Sequence, residues 1–343
     1  MTVPIKRVQR VLAAACLGDA LGAATEGMQH DEIIAVFGGR VERLLPAPER
    51  APFARGMHPG RLTDDATQLL AMAEVLIRTG GKPTVADAEA GLLAWADDEE
   101  TYRRFAGPTT RLAIERIRRQ EGGVADSEPY SCSYGASNGA AMRAPAAGIV
   151  RAGDPSGAVA VAVLLAAPTH DTQVAYAGAG AVAATIATGL GVGARGDIGS
   201  AALEGAQLGE RLGEERGRVV GGASVARRLE VALAIADRHR GDTNAAMAAL
   251  EAEIGNGVAM AEAVPTAVGL AVAAGGDPMA AILAAVNGGN DSDTIAMIAG
   301  TVAAAWTDAD WVPADLIAEI ERVNEINLAA TSKALAALAG EAA

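Results

Sequence analysis

Two stretches of the chain carry carboxylates in a pattern that can do chemistry. Gly288 to Gly300 reads G-G-N-D-S-D-T-I-A-M-I-A-G, and far upstream Thr63-Asp64-Asp65-Ala66-Thr67 runs into Gln68-Leu69-Leu70-Ala71-Met72. In both, acids and hydroxyls open an apolar, helix-compatible run, where capping and the helix dipole favour them. Capping alone uses one carboxylate per helix and leaves the second little to gain. Brought together in a poorly hydrated site, four carboxylates repel, and divalent cations turn that repulsion into binding. No Cys or His adjoins either cluster, so the hard oxygen donors suit Mg2+, Mn2+ or Ca2+ rather than zinc. A calcium-binding EF-hand loop does not fit, because Asp293-Thr294 passes straight into Ile295-Ala296-Met297 without the turn glycine and closing glutamate. The metal reading requires the two helix starts to converge in space.

A third stretch, Ser133-Tyr134-Gly135-Ala136-Ser137-Asn138-Gly139-Ala140-Ala141-Met142-Arg143, combines small residues with a following helix. Such a loop either cradles phosphate on its amides or forms an ordinary Asn-Gly turn. Arg143 suits a phosphate or a structural acid equally well. By residue type alone, Glu26 reads as a solvent-facing glutamate at a helix end, and His170 in P-T-H-D as a hydrogen-bonded cap. Glu262, just ahead of Ala263-Val264-Pro265, reads as a cap or brace for the helix beneath the site.

Taken in order, six landmarks resemble the ADP-ribosylglycohydrolase family, which includes dinitrogenase reductase activating glycohydrolases and ADP-ribosyl-acceptor hydrolases. They are Gly18-Asp19-Ala20-Leu21-Gly22 leading to Glu26, Thr63-Asp64-Asp65, Ser137-Asn138-Gly139 to Arg143, Thr169-His170, Glu262-Ala263-Val264-Pro265 and Asp291-Ser292-Asp293-Thr294. The resemblance extends over nearly the whole chain. It implies two Mg2+ ions, with Mn2+ as an alternative, held by Thr63, Asp64, Asp65, Asp291, Asp293 and Thr294. It implies Glu26 and Asp65 as the carboxylates that manage the proton, and Asp19 as structural. Around the ADP-ribose it implies Ser133, Tyr134, Asn138, Gly139, Met142, Arg143 and His170. The expected reaction is hydrolysis of a ribosidic bond in an ADP-ribosylated acceptor or a small ribosyl substrate. A free nucleoside or nucleotide as substrate, or ADP-ribose binding without turnover, are the rival readings. Three departures bear on the pocket: Ala66 where a hydroxyl residue is common, Asn290 where glycine is common, and a loop lengthened by Ala136-Ser137.

The elements that must position these residues are helical. The 343 residues are 50% hydrophobic but only 3% aromatic, so the core is built from small aliphatic side chains, which favours closely packed helices. Helical periodicity predicts helices over residues 7–25, 67–79, 84–97, 109–119, 156–168, 172–190, 198–213, 222–240, 243–254, 258–274, 277–286, 294–306 and 314–338. The charge run Asp97 to Glu100 reads as a solvated helix end. No strand-period stretch competes, so the expectation is one all-α domain over residues 1–343, with the site on loops and helix N-termini. A net charge of −14 argues against general nucleic-acid or anionic-membrane binding. Cys16 and Cys132 form no redox or zinc spacing, which suits a cytoplasmic protein. The uncharged run 174–194 is long enough to span a membrane, yet its Gly and Thr content favours a central buried helix.

Overall fold

The computed structural model describes residues 3–119, 134–191 and 196–341. Among these there are seventeen α-helices and no strand, only three isolated bridges that tie loops together. The first part runs α1 (Ile5–Gly22), α2 (His30–Phe37), α3 (Asp64–Arg78), α4 (Val85–Trp95), α5 (Glu99–Phe105) and α6 (Pro108–Arg118). Then come α7 (Gly139–Val150), α8 (Pro155–Ala166), α9 (Gln173–Leu190), α10 (Ile198–Arg216), α11 (Val225–Arg238) and α12 (Thr243–Glu253). The chain closes with α13 (Met260–Ala273), α14 (Pro278–Gly288), α15 (Ser292–Ala305), α16 (Ala314–Asn324) and α17 (Leu328–Glu341).

Local chemistry explains where most helices begin. Asp98, Asp154, Thr172, Asp197, Ser224, Asp242 and Asp277 each accept the amide three residues on, satisfying a donor that the helix itself leaves unpaired. Two features of the helical series refine the sequence reading. The charge run at Asp97 to Glu100 does not end a helix; Asp98 caps α5. The stretch 314–338 is two helices, because Glu325 turns left-handed (φ 55°) while the Asn324 amide folds back onto the Ile320 and Gly60 carbonyls, each at 2.8 Å. α2 and α7 had no place in the helical series either, although a helix was expected to follow the Asn138-Gly139 loop.

The small-residue core brings backbones into contact. α9 is the centre: every residue but Thr188 is buried, and it packs on α7, α8 and α10. Against α10 the approach leaves no room for side chains, since a Cβ on Gly209 would lie 2.1 Å from the Tyr176 carbonyl oxygen. α9 is also the one helix among the described residues long and apolar enough to cross a membrane, and 94% of it is buried inside the fold. α1 packs along α15 and also meets α14, α16 and α17, so the N-terminal helix is embedded in the C-terminal third of the chain. That packing builds the site.

Candidate active site

α1 brings both acidic helix starts to one place. Asp19 is fully buried, and its carboxylate accepts the amides of Thr63 at 3.1 Å and Ala66 at 3.0 Å. An anion on the unpaired amides of a first helical turn fixes the start of α3 against α1. The start of α15 is seated on the same helix by two glycines. A Cβ on Gly22 would lie 2.4 Å from Asp293 Cα, and one on Gly18 would lie 2.5 Å from the Met297 nitrogen. Ser292 Oγ adds a hydrogen bond to the Gly22 carbonyl at 3.0 Å. Glu26 lies four residues beyond the end of α1, and the adjoining Gly27 amide donates to the Asn290 carbonyl at 2.8 Å.

The result is a cluster of carboxylates on one wall. Candidate ligand oxygens of Glu26, Asp291 and Asp293 lie within 4.8 Å of one another. Glu26 Oε2 and Asp65 Oδ1 are buried and have no hydrogen-bond partner. Burial, followed by the charges of Asp293 and Asp291, pushes Glu26 up to about 11. Burial and then Asp293 raise Asp291 to about 8 and Asp19 to about 7; burial raises Asp293 itself to about 6, opposed by the Thr294 amide. Asp64 and Asp65 stand well above the ordinary carboxylate range for the same two reasons, burial and then Asp293. Orphaned carboxylate oxygens that repel one another in a buried, all-oxygen set fit a hard divalent cation.

Around the carboxylates lies a cleft of about 450 Å³. Of the residues singled out in the sequence, Glu26, Asp64, Asp65, Asn138, Gly139, Met142, His170, Asp291, Asp293 and Thr294 line it. Asn138 donates its side-chain amide to Asp291 Oδ2, and Thr294 Oγ1 donates to Asp291 Oδ1 at 3.5 Å. The loop 255–259 ties these pieces together: the Asn138 amide donates to the Val258 carbonyl at 2.9 Å and the Asp291 amide to the Asn256 carbonyl at 3.2 Å. Glu262 braces that loop by accepting the Gly257 amide at 3.2 Å.

Thr63, Tyr134 and Arg143 do not line the cleft. Thr63 is fully buried as the cap of α3, with its hydroxyl 3.4 Å from Asp65 Oδ2. Tyr134 is buried with the Arg218 guanidinium 5.4 Å above its ring. Arg143, read as facing a phosphate or an acid, instead points from α7 between Gln68 and Thr169, because its place on the helix turns it away from the cleft. Ser133 lies outside the described residues.

The cleft also contains residues that the sequence reading did not select. Ser137, part of the Ser137-Asn138-Gly139 landmark and of the loop lengthening but not among the expected ligand contacts, hydrogen-bonds His170 Nε2 at 2.8 Å and lines the cleft. The stretch Arg104 to Arg111 forms the opposite side, with Phe53 and Val258 at the rim. Scarcity was the available signal: two of the chain's three phenylalanines, Phe53 and Phe105, line this one cleft. Asn290 does not face the cleft. It is exposed with φ 55°, a left-handed turn position that glycine fills easily and asparagine tolerates, which accounts for that departure.

The helical scaffold is that of a known hydrolase class. A solved structure described as an "ADP-ribosylglycohydrolase-related protein complex" superposes over 99% of both chains with a TM-score of 0.65 at 23% identity. The sequence matches the family described as ADP-ribosylglycohydrolase across residues 2–342. It is 30% identical over 333 residues, 96% of each chain, to the uncharacterized protein YegU of Escherichia coli (strain K12). An uncharacterized protein of Archaeoglobus fulgidus is 28% identical over 302 residues, covering 87% of this chain and 86% of that one. The chain belongs to the ADP-ribosylglycohydrolase family, a family of metal-dependent glycohydrolases.

Proposed function

We propose that this protein is a Mg2+- or Mn2+-dependent hydrolase that releases ADP-ribose from a modified acceptor. The observation that carries the reading is the orphaned acidic wall: Glu26, Asp291 and Asp293 oxygens within 4.8 Å of one another, beside a cleft of about 450 Å³. Asp64, Asp65, Asp291, Asp293 and Thr294 would hold the metal with Glu26 beside them. Divalent ions there supply orientation of the ribose hydroxyls and a lowered pKa for a bound water.

Cleaving a ribosidic bond builds positive, oxocarbenium character at the anomeric carbon. The carboxylates stabilise that charge, and Glu26 or Asp65, each with an unpaired oxygen, takes the proton from the attacking water. Asn138 and Thr294 keep Asp291 in one orientation. Phe53 and Phe105 limit water and offer aromatic surface. The cleft volume falls in the range of sites that bury most of a drug-sized ligand, more than ribose alone needs, which favours a substrate with a nucleotide portion.

The test follows ADP-ribose release from arginine- and serine-linked ADP-ribosylated protein, next to base release from free nucleosides, with Mg2+ and with EDTA. Release of ADP-ribose that EDTA abolishes is the expected result. Base release without ADP-ribose release transfers the reading to free nucleosides, and no turnover of either kind overturns it.

A further inference from the structure

A hydrogen-bonded chain in the cleft wall has its direction set from its buried end. Arg143 is fully buried, and a guanidinium can only donate. It donates from Nη2 to Thr169 Oγ1 at 2.5 Å and from Nη1 to Gln68 Oε1 at 3.4 Å. The same Nη2 stands 3.4 Å from His170 Nδ1. A proton on Nδ1 would set two donors against each other there, whereas a lone pair would accept. Thr169, its oxygen already taking the Arg143 N–H, has its own proton to place. Nδ1 at 2.7 Å is a nearer acceptor than the Ala166 carbonyl at 3.4 Å. Both contacts leave Nδ1 bare, so the neutral ring carries its proton on Nε2.

That assignment decides what Ser137 offers. Nε2–H, 2.8 Å from Ser137 Oγ, donates to it, which leaves the serine's own O–H free to donate into the cleft that both residues line. The ring cannot easily turn to undo this, since it is seated on Gly139, where a Cβ would lie 2.7 Å from Cε1. Burial and the Arg143 charge hold the imidazole neutral.

We propose that Ser137 is a substrate-positioning donor whose direction Arg143 sets through Thr169 and His170, and that its partner is a phosphoryl oxygen of the ADP-ribosyl group. The partner half rests on the function proposed above. A phosphoryl oxygen only accepts, and it carries the charge that strengthens a bond from a committed donor. Its charge also suits the part of the cleft backed by the buried Arg143 guanidinium.

The test has two arms. Imidazole 15N spectra of the wild-type protein, with His170 among four histidines assigned by its loss in His170→Gln, should show the proton on Nε2; a proton on Nδ1 overturns the proposal without any substrate. Calorimetry with ADP-ribose and Mg2+ should show Ser137→Ala weakened roughly ten- to a hundredfold, the worth of a hydrogen bond to a charged group, with Ser137→Thr recovering most of it. Unchanged binding in Ser137→Ala, or an equal loss with adenosine, which has no phosphoryl group, overturns the assignment. The two readings fail separately. A wild-type chain that does not bind ADP-ribose overturns the function above and the phosphoryl partner with it, whereas one that binds it with Ser137→Ala unaffected overturns this proposal alone.

Discussion

Replacing Glu26 by Gln distinguishes a carboxylate buried for chemistry from one that merely ends a helix. In the metal-free protein, burial and then Asp293 and Asp291 raise Glu26 from its ordinary 4.5 to about 11. A carboxyl group whose folded pKa lies above its unfolded value binds its proton more tightly when folded. Its contribution to stability is therefore greatest below about pH 4.5 and falls as pH rises toward 11. At pH 7 the folded protein holds a proton that the unfolded chain releases about 2.5 pH units lower, which at ~1.36 kcal/mol per unit costs roughly 3 kcal/mol. Partial exposure and relaxation of the neighbours reduce this, so ~1–3 kcal/mol is expected. Glutamine carries no such cost. In EDTA, Glu26→Gln should resist urea better than wild type at pH 7 to 8 and match it near pH 4. In saturating Mg2+ the order should reverse, because a potential ligand oxygen is lost and metal binding stabilises only the folded state. Turnover should fall roughly 10²- to 10⁴-fold, the usual worth of a positioned acid or base. No gain in EDTA at pH 8 would refute the buried acidic cluster, whatever the activity shows.

On the function proposed above, two divalent ions are expected about 3.5–4 Å apart, the usual spacing in two-metal sites. Metal analysis should find two per chain, and Asp293→Ala should lose at least one; full occupancy in that variant would remove Asp293 from the ligands. Gly22→Ala puts a Cβ 2.4 Å from Asp293 Cα, so helix α15 must move off α1. It should cost roughly 1–3 kcal/mol in thermal or urea unfolding and weaken metal binding with it. A stable, fully metallated Gly22→Ala would show that α1 does not set the start of α15.

How much of this was legible in the sequence depended on whether a residue type or a shape was required. A hard-cation site demands carboxylates, and few other roles explain two of them at one helix mouth. Asp64, Asp65, Asp291 and Asp293 therefore stood out before any fold was known, and the structure lines one cleft with all four. What joins the two helix starts was not legible. Gly18 and Gly22 act by lacking a side chain, and Asp19 acts across 44 residues on the Thr63 amide, a relation no local pattern encodes. The division at Glu325 escaped for a related reason: no glycine or proline marks it, and the Asn324 side chain, which closes α16, is equally ordinary in mid-helix sequence. Arg143 illustrates the limit of residue type most clearly. An arginine beside a phosphate-suited loop suggests an anion, yet its hydrogen-bond partners are the neutral Gln68, Thr169 and His170, with no carboxylate in ion-pair contact among the described residues. A buried cation without an ion-pair partner is costly, and here the charge of Asp64 offsets part of that cost while Nε has no hydrogen-bond partner among the described residues. Gln68 passes one contact on to Asp64 at 3.2 Å, and Thr169 passes the other to His170 at 2.7 Å. The same side chain thus braces the acidic wall on one side and the histidine wall on the other, which makes Arg143 a strut between the two halves of the cleft.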